Sequence, residues 1–200
     1  MTGHIRDPRV GRDVLAGAVF GVALSLIALG KARLLPQFGY PAQYPAYGLA
    51  IDVLSGAGRL IATWIAAAVG SLEGALLAVL VFVVLRLLLR RAWLSVAAGV
   101  VLMSLVSVNQ MGGAGTWLVW LFPLVSGALL TLVVVRFGLL AYAVTWFFFS
   151  ILTRVPLLLD LSHWAAMPSA WTLALLVAVA LFGFYASRAG QPLLGRVLTE

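Results

Sequence analysis

The sequence predicts an all-α integral membrane bundle, with six transmembrane helices and one interfacial amphipathic helix, and three observations carry that expectation. Of the 200 residues 64% are hydrophobic and only 10% are charged, against roughly 45–50% and about 25% in an average soluble domain. The charges stand singly or in small groups between apolar runs, several of them near the roughly 20 residues needed to cross a hydrocarbon core of about 30 Å. The basic residues, finally, gather at alternate ends of those runs, which reads as a topology signal and not as a phosphate-binding stripe. A water-soluble globule and a nucleic-acid-binding protein are both excluded on these grounds, and residues 1–200 are read as a single transmembrane domain.

Cutting the chain at its charged and Gly/Pro-rich punctuation gives the spans in order. The first covers about 14–30, with Asp13 placed to cap it and Lys31 and Arg33 closing it. Arg6, Arg9 and Arg12 ahead of this run resemble the start of a signal peptide, but its length and the five runs that follow favour a retained helix. The stretch from Ala46 to Leu89 would extend about 66 Å as one helix and is expected to divide. Its first part, about 46–63, carries Asp52, Ser55, Arg59 and Thr63 on one stripe and Leu49, Val53, Leu60 and Trp64 on the other, the pattern of a helix lying at the interface. YPAQYPAY, just before it, combines turn-forming prolines with headgroup-seeking tyrosines and reads as a surface collar.

The second span then covers about 64–86 and ends at Arg86, Arg90 and Arg91, and the third covers about 92–108. After the turn Gly112-Gly113-Ala114-Gly115 come a fourth span, about 116–135, with Pro123 inside it, a fifth, about 137–153, and a sixth, about 170–187. Nine basic residues (Arg6, Arg9, Arg12, Arg86, Arg90, Arg91, Arg136, Arg188, Arg196) fall on one side and four (Lys31, Arg33, Arg59, Arg154) on the other. Both termini are therefore expected in the cytoplasm, with the chain in a bacterial inner membrane.

Candidate functional groups are few. Glu73 is the clear intramembrane carboxyl group, about 20 Å along the helix from Arg86. Such a group costs at least about 2.5–3.5 kcal/mol at mid-bilayer and is a functional candidate by default. It is read either as a proton- or cation-coupled ligand site, with Asn109 and Gln110 adding amide donors, or as a carboxyl group hydrogen-bonded between helices. Small residues recur every fourth position at Ala62, Ala66, Gly70, Gly74 and Ala78, and Gly17, Gly21 and Ser25 offer a matching stripe on the first span. These are expected to pack together. Asp160 and His163 sit one helical turn apart, and an interfacial capping or ion-pair role with Arg154 is expected for them, while Asp52 and Arg59 are expected at the interface on the polar stripe of residues 46–63. Adjacent Ser162 and His163 lack both a G-x-S-x-G elbow and the geometry for general-base attack. The aromatic run Trp146 to Phe149, with Trp117, Trp120 and Tyr142, is expected to face lipid.

No metal site, cofactor site or catalytic residue is expected. The chain has no cysteine, and it carries neither HExxH nor a P-loop nor paired acidic motifs. The segments RDPRVGRDVLAG, DLSHWAAMPS and SRAGQPLLG together resemble the C-terminal multispanning membrane region of some large bacterial serine/threonine protein kinases and related uncharacterised bacterial membrane proteins. The resemblance implies a membrane module coupled to another component, and no kinase residues carry over, because the nucleotide loop and the HRD segment are missing. The expected role is a non-catalytic anchoring or accessory subunit of a larger signalling or energy-converting assembly, its partners being the lipid bilayer and other membrane subunits or a kinase-type protein. The alternative is a small substrate-binding transport component with its site near Glu73.

Overall fold

Long runs of Ala, Leu and Val, with no water in the bilayer core to bond exposed backbone, leave the helix as the natural local structure. The computed structural model describes residues 8–39, 55–111, 117–155 and 166–188. Every regular element among them is helical: α1 (Pro8–Leu34), followed by a 3-10 turn at Leu35–Phe38, then α2 (Ala57–Leu89), α3 (Ala92–Met111), α4 (Trp117–Arg136), α5 (Leu139–Arg154) and α6 (Ala166–Ser187). Three of these, α1 with its 3-10 extension, α2 and α6, are long and apolar enough to cross a membrane.

Several boundaries differ from the sequence expectation, each for a local reason. Proline is well suited to a first helical turn, and α1 starts at Pro8, so Asp13 lies inside the helix and is not its cap. Of the expected interfacial helix, residues 46–54 lie outside the described residues, and residues 57–63 do not separate from the second span. Ala57 to Leu89 is one helix of 33 residues, because nothing between Arg59 and Trp64 breaks the backbone ladder and the Thr63 hydroxyl donates back to the Arg59 carbonyl at 2.9 Å. The face carrying Leu60 and Trp64, expected to lie on lipid, packs inside the protein with Phe148, Ile151 and Leu176. α2 and α3 are joined through Arg90, whose φ of +51° is left-handed, and α4 and α5 through Gly138 at φ +86°, where the missing Cβ makes the reversal cheap.

The shortest long helix, α5, is the hub. α1 and α2 both pack on it, α6 packs on α1, and α3 and α4 pair with each other beside them. Glycines set the closest approaches. A Cβ on Gly17 would fall 2.6 Å from the Ala141 carbonyl oxygen, and one on Gly21 would fall 2.5 Å from the Phe148 Cβ. On α6, Gly183 admits Val14 in the same way, and on α4 Gly127 lies against the backbone of Ser104 and Val100. Gly17 and Gly21 thus pack helices as expected, but against α5 and not against α2.

Of the aromatic residues expected on lipid, Trp120 is exposed and the side chain of Trp117 lies outside the described ones, but those of α5 are placed differently. Tyr142 and Phe148 are buried. Trp146 stacks on Tyr142 with ring centroids 6.3 Å apart and meets Phe149 at 5.5 Å. Rings fill this part of the core because α5 is flanked on two sides, so few of its positions reach lipid.

Candidate functional site

The site is the outward face of α2. At 100° per residue the buried positions Leu60, Ala67, Ser71, Ala75 and Ala78 define one side of the helix, and Glu73 projects roughly 150° away from their centre. Glu73 is exposed, as are Ala62, Ala66, Leu77 and Leu80 on the same side. α2 meets α3 through Phe82, whose ring lies 3.1 Å from a Cβ built on Gly99, and Phe82 too is on the side opposite Glu73. The carboxyl group therefore points away from both neighbouring helices. It makes no hydrogen bond and no ion pair among the described residues.

Its depth is set by its own helix. Arg59 and Arg86 are the nearest charged residues on α2, and Glu73 lies midway between them, about 20 Å along the axis from each. Of the three membrane-length helices α2 is the least covered, with 11% of its apolar window buried against 28% in each of the others. A carboxyl group in the middle of the most exposed long helix is the feature of this chain that needs a physical account.

The small residues around it fall into two stripes. Ala67, Ser71 and Ala75, which are not in the expected stripe, are buried together with Ala78, the one member of that stripe that packs in the core. Ala62 and Ala66 are exposed and a Cβ on Gly70 meets nothing within 4 Å, whereas one on Gly74 reaches the Trp146 ring of α5 at 4.0 Å. Within the described residues Gly70 is thus not a packing glycine, and Gly74 makes only a loose contact with α5. The reason is rotational. α2 presents Ser71 and Ala75 to α5, and a helix can turn only one of two stripes inward.

Between α2, α5 and α6 runs a lateral groove of about 290 Å³, lined by Ala68, Ser71, Leu72, Ala143, Val144, Phe147 and Val179. Its single hydroxyl, on Ser71, donates to the Ala68 carbonyl at 2.7 Å, so the lining offers a polar ligand little to recognise. Asn109 and Gln110 belong to the end of α3, outside the described side chains, and Asp52, Asp160 and His163 lie outside the described residues. Arg59 is exposed near the start of α2 and Arg154 is half-buried at the end of α5. No group of three or more His, Cys, Asp or Glu that could hold a metal occurs among the described residues. No protein-family model matches the chain, and neither a curated protein nor a solved structure is significantly similar to it.

Proposed function

We propose that the chain is a non-catalytic anchoring or accessory module of a larger bacterial membrane assembly, signalling or energy-converting, and that α2 is its docking helix. One observation carries the reading. Glu73 stands at mid-length on the uncovered face of α2, and an intramembrane carboxyl group that faces neither the bundle interior nor a water-filled cavity calls for a partner outside the chain. A transport component would instead turn this group toward an internal polar pocket, and Glu73 points the opposite way from α3 and α5.

In this reading all six helices cross a bacterial inner membrane with both termini in the cytoplasm. At 1.5 Å per residue the 20 residues of α3 and of α4 span about 30 Å, and the central position of α5 lets a helix of 16 residues cross without facing lipid. The asymmetry of basic residues supports the orientation, and the resemblance to kinase membrane regions supports coupling to a further component.

Purification from native membranes under mild detergent, followed by mass measurement of the intact complex, tests the role. A stoichiometric protein complex that survives in Glu73→Gln and falls apart in Glu73→Leu is expected. A monomer carrying a bound small ligand, with uptake abolished in Glu73→Gln, would replace this reading with the transport one.

A further inference from the structure

We infer that the notch where the start of α1 meets the α4–α5 corner and the end of α6 binds the phosphodiester headgroup of an anionic phospholipid, held by Arg12, Arg136 and Arg188. The inference rests on the reading that the chain crosses a membrane, and it is independent of what docks on α2.

Three helix ends are drawn together there by contacts of their own. α1 meets α6 through Gly11, where a Cβ would collide with the Ser187 backbone nitrogen and would fall 2.6 Å from the Gly183 carbonyl oxygen. Arg12 and Arg188 are the next residues along their helices, so this contact brings both to one place. On the other flank the Arg12 guanidinium lies over the Phe137 ring, 5.8 Å from its centroid, and Phe137 directly follows Arg136 at the end of α4. Phe137 rests in turn on the Phe20 ring at 5.8 Å, which fixes the corner from within the bundle. The Arg188 guanidinium is seated over Phe184 at 5.6 Å.

Three guanidinium groups gathered in this way repel one another, and each keeps its charge. The rings beneath Arg12 and Arg188 hold these groups without neutralising them. Among the described residues no carboxyl group meets any of the three, and Asp13, the one acid at this end of the bundle, is already engaged. Arg12 and Arg136 are exposed and Arg188 is half-buried, so a ligand can reach all three from outside. A phosphate oxygen pair matches the forked donors of a guanidinium. The depth favours a lipid as its source. All three residues stand where apolar helices end, and Tyr185 beside them is 83% exposed, as suits an aromatic side chain at the headgroup layer. Basic pockets between helix ends are suited to anionic headgroups.

Native mass spectrometry of the purified chain, released from nanodiscs of mixed phosphatidylglycerol and phosphatidylcholine, tests the site. The wild type is expected to retain one phosphatidylglycerol several times more often than phosphatidylcholine. Arg12→Gln, Arg136→Gln and Arg188→Gln are each expected to lower that preference several-fold. Arg12→Lys keeps the charge but loses the forked donor, and should lower it less. Arg90→Gln and Arg91→Gln, at the α2–α3 corner, are expected to leave it unchanged. Variants are compared only where unfolding midpoints in phosphatidylcholine nanodiscs match the wild type, which separates loss of the site from loss of the fold. An equal loss in the Arg90 and Arg91 variants would reveal diffuse attraction and overturn the site, as would a wild type without preference. Inorganic phosphate bound in place of phosphatidylglycerol, or an acidic protein retained through Arg12 in place of lipid, would overturn the lipid as its ligand. A chain that stays in solution without detergent and does not enter nanodiscs would overturn the membrane reading and the inference with it.

Discussion

The indole N–H of Trp64 donates to the Thr172 hydroxyl at 3.3 Å, joining α2 to α6 across 108 residues of chain. The Thr172 hydroxyl in turn donates to the Pro168 carbonyl at 2.7 Å, and the residue is fully buried. This bond helps to hold the start of α2 against the bundle. Trp64→Phe and Thr172→Val should each destabilise the fold. A double-mutant cycle read by denaturation in detergent should return a coupling of about 0.6 kcal/mol and at most about 1.7 kcal/mol, the average and maximum for hydrogen bonds between membrane helices.

The glycines separate by what surrounds them. Gly21→Ala should cost about 1–3 kcal/mol, because its methyl group would meet the Phe148 Cβ and the Thr145 carbonyl oxygen and neither can withdraw without moving α5. Gly30→Ala, in the same helix with nothing within 4 Å, should be neutral or slightly stabilising. Gly70→Leu should leave the unfolding midpoint of the monomer unchanged. Thermal unfolding of the three variants side by side measures this.

Two hydroxyls in α4 are buried without a partner, those of Ser126 and Thr131. A buried unsatisfied hydroxyl costs about 1–3 kcal/mol, and its replacement by an apolar group of similar shape removes that cost. Thr131→Val should therefore raise stability, by on the order of 1 kcal/mol. Thr145→Val should gain nothing, since the Thr145 hydroxyl already donates to the Ala141 carbonyl at 2.7 Å. Chemical denaturation of both variants distinguishes these outcomes.

Topology follows from the basic residues. Reporter fusions after Arg91 and at Glu200 should report the cytoplasm, and fusions near Ala42 and Gly113 the opposite side. A cytoplasmic signal at Gly113 would break the six-span arrangement.

The helices were legible in the sequence because punctuation is strong in an apolar chain: Arg86, Arg90, Arg91, Arg136 and Arg188 all lie at or just beyond helix ends. Which face of each helix turns inward was not legible, since lipid and protein interior select the same side chains. Leu60 is 5% exposed and Leu72 is 52% exposed, yet nothing in their composition tells them apart. The small residues of α2 pose the same ambiguity: of the four-residue repeat only Ala78 is buried, while Ala67, Ser71 and Ala75, which stand out less by type, are buried beside it. Glu73 stood out from sequence alone, but its direction follows from Ser71 and Ala75 turning toward α5. Gly11 and Gly183, which bring α1 against α6, were missed because their spacing forms no repeat.

The hub position of α5 also dictates an order of assembly. The glycine face of α1 finds its mates, Ala141 and Phe148, only after more than one hundred further residues have been synthesised, which takes on the order of 5–20 s at typical ribosomal rates. During that interval α1 and α2 sit in the bilayer without their common neighbour, with grooves open that α5 will later fill. A slowing of translation before residue 139 should therefore lengthen the life of an incomplete bundle. The same period gives membrane insertases and quality-control proteases their best opportunity to bind this chain.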